Sequence, residues 1–324
     1  MPTIAPLDLD AHCVTAAFIG GNPHFALADG AIHRLDGGHH HAAAHDGLLA
    51  AVPALDGFSL ITAGEDGKVI RHAADGGTEL IANLGRKWVT ALATGPLGAL
   101  AFAAGKDAHV RMPDGKLVTL SHPRTVEGLA FAPKGLRLAV ARYNGATLHF
   151  PGTGGKPAEL EWAGAHTAAS FSPDGQFMVT IMQENALHGW KLADSRHMRM
   201  TGYPAKIKSI SWSARGRWLA TSGAPASIVW PFQGKDGPMG KAPLELGTRG
   251  DSMVTCVACH PDEELVVNGY ADGMILAIRI TDAKEAVLRR GGNSAISAMA
   301  WDAQGRRLAF GSEAGECGVI DIAG

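Results

Sequence analysis

The feature that most constrains this chain is a short turn that returns along its whole length. It is clearest as Ser172-Pro173-Asp174-Gly175, which follows the alternating stretch from Thr167 to Phe171. Upstream, the same shape recurs as Ala54-Leu55-Asp56-Gly57, Gly95-Pro96-Leu97-Gly98 and Ala132-Pro133-Lys134-Gly135. Downstream it is Ser213-Ala214-Arg215-Gly216, His260-Pro261-Asp262-Glu263 and Asp302-Ala303-Gln304-Gly305, and a weaker first copy is Ile19-Gly20-Gly21-Asn22. The spacing is roughly forty residues, a period that signals one supersecondary unit stacked on copies of itself. Such a unit cannot bury its apolar face alone, so the repetition is a folding requirement.

Each turn is followed by a short apolar run and then by an Asp-Gly or Asn-Gly pair, as at Asp66-Gly67, Asn144-Gly145 and Asp272-Gly273. Both residues of such a pair tolerate positive φ, which makes it the strongest local hairpin signal. A third strand then begins at Lys68, Ala146, Ala186 and Met274, and a more polar fourth one closes the unit, as in Thr78–Ile81 and Lys116–Leu120. Four short antiparallel strands per unit predict an all-β chain, a single β-propeller over residues 1–324. The units begin near Val14, Leu48, Trp88, Val126, Thr167, Ile207, Val254 and Ile296, which predicts eight blades, with seven as the alternative. The last unit ends at Asp321 without a fourth strand, while Thr3–Leu9 alternates like a strand with no partner of its own. The N-terminal segment is therefore expected to complete the last blade and close the ring, leaving no open sheet edge.

Units of this kind resemble the WD40 repeat family. The fifth carries the likeness best, with Gly164-Ala165-His166 at its start, the Ser-Pro-Asp-Gly turn, and Trp190 at the end of its third strand. Elsewhere the family's Gly-His start and Trp-Asp end are eroded, with Leu35, His72, Phe150 and Ile278 where Trp is usual. The Trp301-Asp302 pair falls in a first strand and is not a match.

Composition narrows the function. Apolar residues are 46% and charged residues 19%, with a formal net charge of −2, so there is no basic excess to displace counterions from nucleic acid. No apolar run is long enough to span a bilayer. The segment from Met1 to Asp10 lacks the basic start and apolar stretch of a secretion signal, and four cysteines do not make a disulfide framework. The expectation is a monomeric cytoplasmic protein.

Cys256-Val257-Ala258-Cys259-His260 spells a haem-attachment motif, but it lies in a predicted first strand, where residues three apart face opposite ways. The two cysteines are expected to be small buried strand residues. Gly38-His39-His40-His41-Ala42-Ala43-Ala44-His45 is the other conspicuous cluster, and imidazoles suit zinc or nickel. On a strand, His39 and His41 share a face, and with His45 they are the candidate metal ligands. Histidines also recur in third strands at His33, His72, His149 and His188. No Gly-x-Ser-x-Gly elbow or His-Glu-x-x-His helix is present, and Gly152–Lys156 has the wrong glycine spacing for a phosphate loop.

The family resemblance implies that partners meet the loops between second and third strands and the entries of first strands. Before the Asp-Gly turns these positions are Ala28, Glu65, Lys106, Tyr143, Glu184, Ala271 and Glu313. At the entries they are Trp88, Arg124, His166, Lys206, Lys208 and Met253. Aromatic and Arg side chains are the usual anchors of interfaces. The predicted partner-binding set is Tyr143, Arg142, Lys106, Trp88, Arg124, Glu65, Glu184 and His166. The function expected is a non-catalytic protein-binding scaffold without a cofactor. The alternatives are an accessory protein that handles zinc or nickel through its His39–His45 tract, and a propeller-type enzyme with a site in the central channel.

Overall fold

A computed structural model describes residues 3–322. Among them thirty strands form seven antiparallel sheets, six of four strands and one of six. The four-strand units are β-propeller blades: in all but the one that Thr3–Asp8 joins, chain order equals sheet order, with tight hairpins between neighbours. The structure groups into two compact units, residues 43–201 and the rest of the chain.

Residues 43–201 hold three of the sheets. The first contains Leu48–Pro53, Ser59–Gly64, Lys68–Ala73 and Thr78–Asn83. The next contains Ala91–Thr94, Leu100–Ala104, Asp107–Arg111 and Leu117–Ser121. The third runs from Val126–Phe131 through Leu138–Phe150, Gly155–Phe171, Phe177–Met182 and Ala186–Lys191 to His197–Met200. Second strands are buried throughout, as in Leu100–Ala104 and Phe177–Met182, whereas Leu117–Ser121 is largely exposed. That contrast is why second strands read as continuous apolar runs and fourth strands as polar ones.

The six-stranded sheet corrects the expected count of eight: the sheets number seven. The sequence units beginning at Val126 and Thr167 share one sheet because two strands run long, 13 and 17 residues. Leu138–Arg142 pairs with Val126–Phe131, while Tyr143–Phe150 pairs with residues of Gly155–Ala165. Further along, His166–Phe171 pairs with Met178–Met182. Asn144 and Gly145 take the positive φ expected of their type (67° and 123°), yet they sit inside a continuous strand rather than at its end.

The remaining described residues hold four sheets. Cys13–Ile19, Asn22–Leu27, Ala31–Leu35 and His39–Ala43 form one; Ile210–Trp212, Trp218–Thr221, Ser227–Pro231 and Leu244–Leu246 form the next. The other two are Val254–Cys259, Leu265–Tyr270, Ile275–Arg279 and Glu285–Arg289, and then Ile296–Trp301, Arg307–Ser312 and Glu316–Asp321. The N-terminal strand Thr3–Asp8 completes this last sheet as expected, pairing antiparallel with Glu316–Asp321. Hydroxyls staple the first strands of these sheets together. Ser297 Oγ donates to the Cys13 carbonyl (2.7 Å), Thr255 Oγ1 to the Ile296 carbonyl (2.7 Å), and the Cys259 amide donates to Ser211 Oγ (2.9 Å).

Where the recurring turn begins with a polar residue, that side chain holds it, whatever its chemistry. Ser172 Oγ accepts from the Phe177 amide, and Ser213 Oγ from that of Trp218. Asp302 Oδ1 accepts from the Arg306 and Arg307 amides. At the same place His260 Nδ1 accepts from the Asp262 and Glu263 amides, so its Nε2–H donates to the Gly305 carbonyl at 2.9 Å. Gly305 is required there: its φ is 67°, and a Cβ would lie 2.1 Å from the His260 ring. The His of Cys-x-x-Cys-His is thus a turn cap. The two cysteines diverge as strand geometry demands, Cys256 packing with Val267, Ile296 and Phe310, and Cys259 against the cluster of Val257, Val266 and Ile278. Burial pushes their thiols up to about 11 and about 12.

Candidate partner-binding site

The loops of residues 43–201 are positioned by side-chain chains that run beneath them. In the 48–83 sheet, His45 Nδ1–H donates to Asp66 Oδ1 (2.9 Å), because a carboxylate only accepts. Its Nε2 then accepts from Thr62 Oγ1 (2.8 Å), whose oxygen meets His72 Nε2 at 2.9 Å. Burial pushes the Asp66 carboxyl up, but the bonds from His45 and the Lys68 amide outweigh it and hold it below the usual range. His45 is buried with both ring nitrogens engaged, so it is committed to this chain rather than presented beside His39 and His41.

His166 is likewise fully buried. Its Nε2–H donates to the Trp162 carbonyl (3.0 Å) and its Nδ1 meets Thr180 Oγ1 (2.7 Å). It therefore does not reach the surface, unlike the exposed residue the sequence pattern suggests. Next to it His188 lies 4.1 Å from Trp162 between ring centroids, with His197 at 5.3 Å and Trp190 at 4.7 Å. Burial, then the neighbouring His197 and His166, lower its imidazole to about 3.

Tyr143 sits above this bed, 50% exposed. The positive φ of Asn144 and Gly145 turns the backbone there, and a Cβ on Gly145 would come within 2.1 Å of the Leu160 carbonyl. Arg142 is fixed beneath it: Nε donates to Thr147 Oγ1 (3.2 Å), Nη1 to the Tyr143 carbonyl (3.1 Å), and Nη2 pairs with Glu159. Tyr143, Arg142 and Arg124 border one depression of about 510 Å³, together with Pro123, Glu161 and Trp162. Three of the predicted residues are thus brought together.

Trp88 (56% exposed), Lys106, Glu65 and Glu184 are exposed but lie outside that depression. Backbone bonds pin their loops: the His122 amide donates to the Lys106 carbonyl, the Glu65 amide to that of Gly47, and Val89 to that of Gly64. Glu184 Oε1 accepts from the Ala165 amide at 3.3 Å. In the other unit, Lys208 and Glu313 neutralise each other at 3.0 Å.

Sequence reasoning missed Trp162 and Glu161, although a Trp in an otherwise polar fourth strand was a usable signal. It also missed a second, apolar patch in residues 43–201. Leu55, Phe58 and Leu97 (68%, 65% and 83% exposed) surround a depression of about 460 Å³ that Arg71 and Arg111 also line. Leu55 and Leu97 sit inside the recurring turns, where polar residues would be expected, and Leu97 has a φ of 59°.

The histidine tract lies in the fully exposed strand His39–Ala43. His33 Nδ1 and His39 Nε2 are 2.8 Å apart, and His41 lies 5.7 Å from His33 between ring centroids. His40 points the other way, to Asp36 at 2.8 Å. Among the described residues no group of three or more His, Cys, Asp or Glu side chains is arranged to hold a metal ion as the side chains stand. A cavity of about 520 Å³ along the first strands outside residues 43–201 is lined by Ser209, Ser211, Ser297, Cys256 and Cys259. Its carboxylate, Asp302, is tied to Arg307 at 3.0 Å. No helix among the described residues is long and apolar enough to cross a membrane.

The blades define a β-propeller, and comparison with known proteins agrees. The chain superposes on the crystal structure of the computationally designed Ika8 protein with a TM-score of 0.77, covering 99% of this chain and 98% of that one at 19% identity. The family profile for the WD domain, G-beta repeat, matches residues 244–276. Residues 244–276 are thus similar to a WD40 repeat, and the four-stranded sheets around them have the topology of propeller blades. It is also 25% identical over 187 residues to telomerase protein component 1 of Rattus norvegicus, a match covering 56% of this chain and 7% of that protein.

Proposed function

We propose that this chain is a non-catalytic protein-binding scaffold of the cytoplasm, and that a partner protein seats on the Tyr143 depression. The observation that carries the reading is a half-exposed tyrosine held over a fixed arginine, beside Arg124 and Trp162. A rigid aromatic with two rotatable angles gives contact area at low entropic cost, and a pre-ordered Arg loses little more on binding. Lys106, Trp88, Glu65 and Glu184 supply the outer, polar part of the contact. Such an arrangement matches an anchor within a wetter rim.

The test is a quantitative pull-down from the native cell. A partner captured by wild type should be lost with Tyr143→Ala combined with Arg124→Glu, and retained with Phe58→Ala. For the isolated pair, Tyr143→Ala alone should weaken binding by about 2 kcal/mol, roughly thirtyfold. Capture that ignores Tyr143 and Arg124 but fails with Phe58→Ala would move the site to the Leu55–Leu97 patch.

A further inference from the structure

We propose that His33, His39 and His41 form a three-imidazole site for a divalent transition-metal ion of the zinc, nickel or copper class. This is independent of the partner site, and its ligand set differs from the tract read along the sequence. His39 and His41 are two apart on one strand and so project from the same face. Across from them, on the neighbouring strand Ala31–Leu35, His33 projects from that face too. The ring centroids are 5.1 Å apart for His33 and His39, 5.7 Å for His33 and His41, and 6.3 Å for His39 and His41.

The closest pair shows what the ion would replace. His33 Nδ1 and His39 Nε2 face each other at 2.8 Å, a separation that requires one shared proton between two imidazoles. An ion bound at about 2.0–2.1 Å to each nitrogen in tetrahedral geometry would set them about 3.3 Å apart. Exchanging that proton for a metal therefore lengthens the nitrogen–nitrogen distance by only about half an ångström, with the two rings turning to aim at the ion. His41 completes the set by turning its ring on an exposed strand, where nothing packed prevents it. Three imidazoles without a thiolate suit zinc, nickel or copper over calcium or magnesium. The open outer side leaves a fourth position for water or an incoming ligand. His40 is excluded by its opposite direction toward Asp36, and His45 by having both nitrogens engaged.

The experiment is a titration of tag-free full-length protein with Co²⁺ and with Zn²⁺, followed by Co²⁺ absorption and by calorimetry. One ion per chain is expected. Each of His33→Ala, His39→Ala and His41→Ala should weaken binding at least tenfold, while His40→Ala leaves it unchanged. Far-ultraviolet circular dichroism without metal checks that each variant folds, and the exposed His39 and His41 variants carry the test if His33→Ala does not. Absence of saturable binding by wild type overturns the proposal. So does a loss with His40→Ala equal to that with His39→Ala, or a loss confined to His45→Gln.

Discussion

The 48–83 sheet and the 166–200 part of the six-stranded sheet start from nearly the same residues and use them differently. A histidine stands before the first strand in one and within it in the other (His45, His166), a threonine stands fourth in the second strand (Thr62, Thr180), and an acid follows four residues later (Asp66, Glu184). Ten residues after the threonine comes His72 in one and Trp190 in the other. In the first, the acid reaches the imidazole and a closed chain results, Asp66–His45–Thr62–His72. In the second, His166 bonds the Trp162 carbonyl instead, and the acid stays at the surface. A third version in the 210–246 sheet replaces the histidine by Tyr203, which bonds Thr221 and Trp230. Where the internal chain is complete its acid is bonded into it, and where the chain is altered the acid, Glu184, stays exposed with a bond from the Ala165 amide.

Four measurements sharpen this contrast. The largest effect is expected for His45→Ala, which leaves Asp66 and Thr62 short of partners in a buried place and should cost about 3 kcal/mol in urea unfolding. A double-mutant cycle between His45 and Asp66 should show coupling of about 1–2 kcal/mol, against none between His166 and Glu184.

Acid comes next. His188 and His122 are neutral in the fold, lowered to about 3 and about 4 chiefly by burial. The unfolded chain binds protons there below its ordinary value near 6.5 while the folded state refuses them. Stability is therefore full above about pH 6.5 and falls as pH drops toward 4, at up to about 1.4 kcal/mol per pH unit for each group. His188→Phe keeps the stack on Trp162 and should flatten part of that loss. An unchanged pH profile would break the assignment of the fifth unit's histidine as a neutral stacking ring.

The smallest effect is expected for Glu184→Ala, within about 0.5 kcal/mol of wild type, because its one bond is exposed. Asp66→Ala, by contrast, should be destabilising.

Much of this architecture was legible in the residues. The turn series, the Asp-Gly pairs at Asp66 and Asp272 and the unpaired alternation of the N-terminal segment are local signals, and each reports a real element. The opposed faces of Cys256 and Cys259 followed from strand geometry alone. What escaped is what depends on partners distant in sequence. Apolar periodicity reports burial but not whether hydrogen bonding continues through Asn144-Gly145, so two units appeared separate that share one sheet. The His166 pattern marks a position, and only Thr180 and the Trp162 carbonyl decide that the ring turns inward. His33 stands six residues from His39, and no spacing along the chain shows that their nitrogens meet.

The pairing of Thr3–Asp8 with Glu316–Asp321 also has a consequence for how the protein is made. Translation delivers one half of this contact long before the other. At roughly 5–20 residues per second, the opening strand waits on the order of tens of seconds for its mate. Until then the final sheet is one strand short and its edge is open to any other extended chain. A chain cut short before Glu316 therefore keeps that edge open permanently.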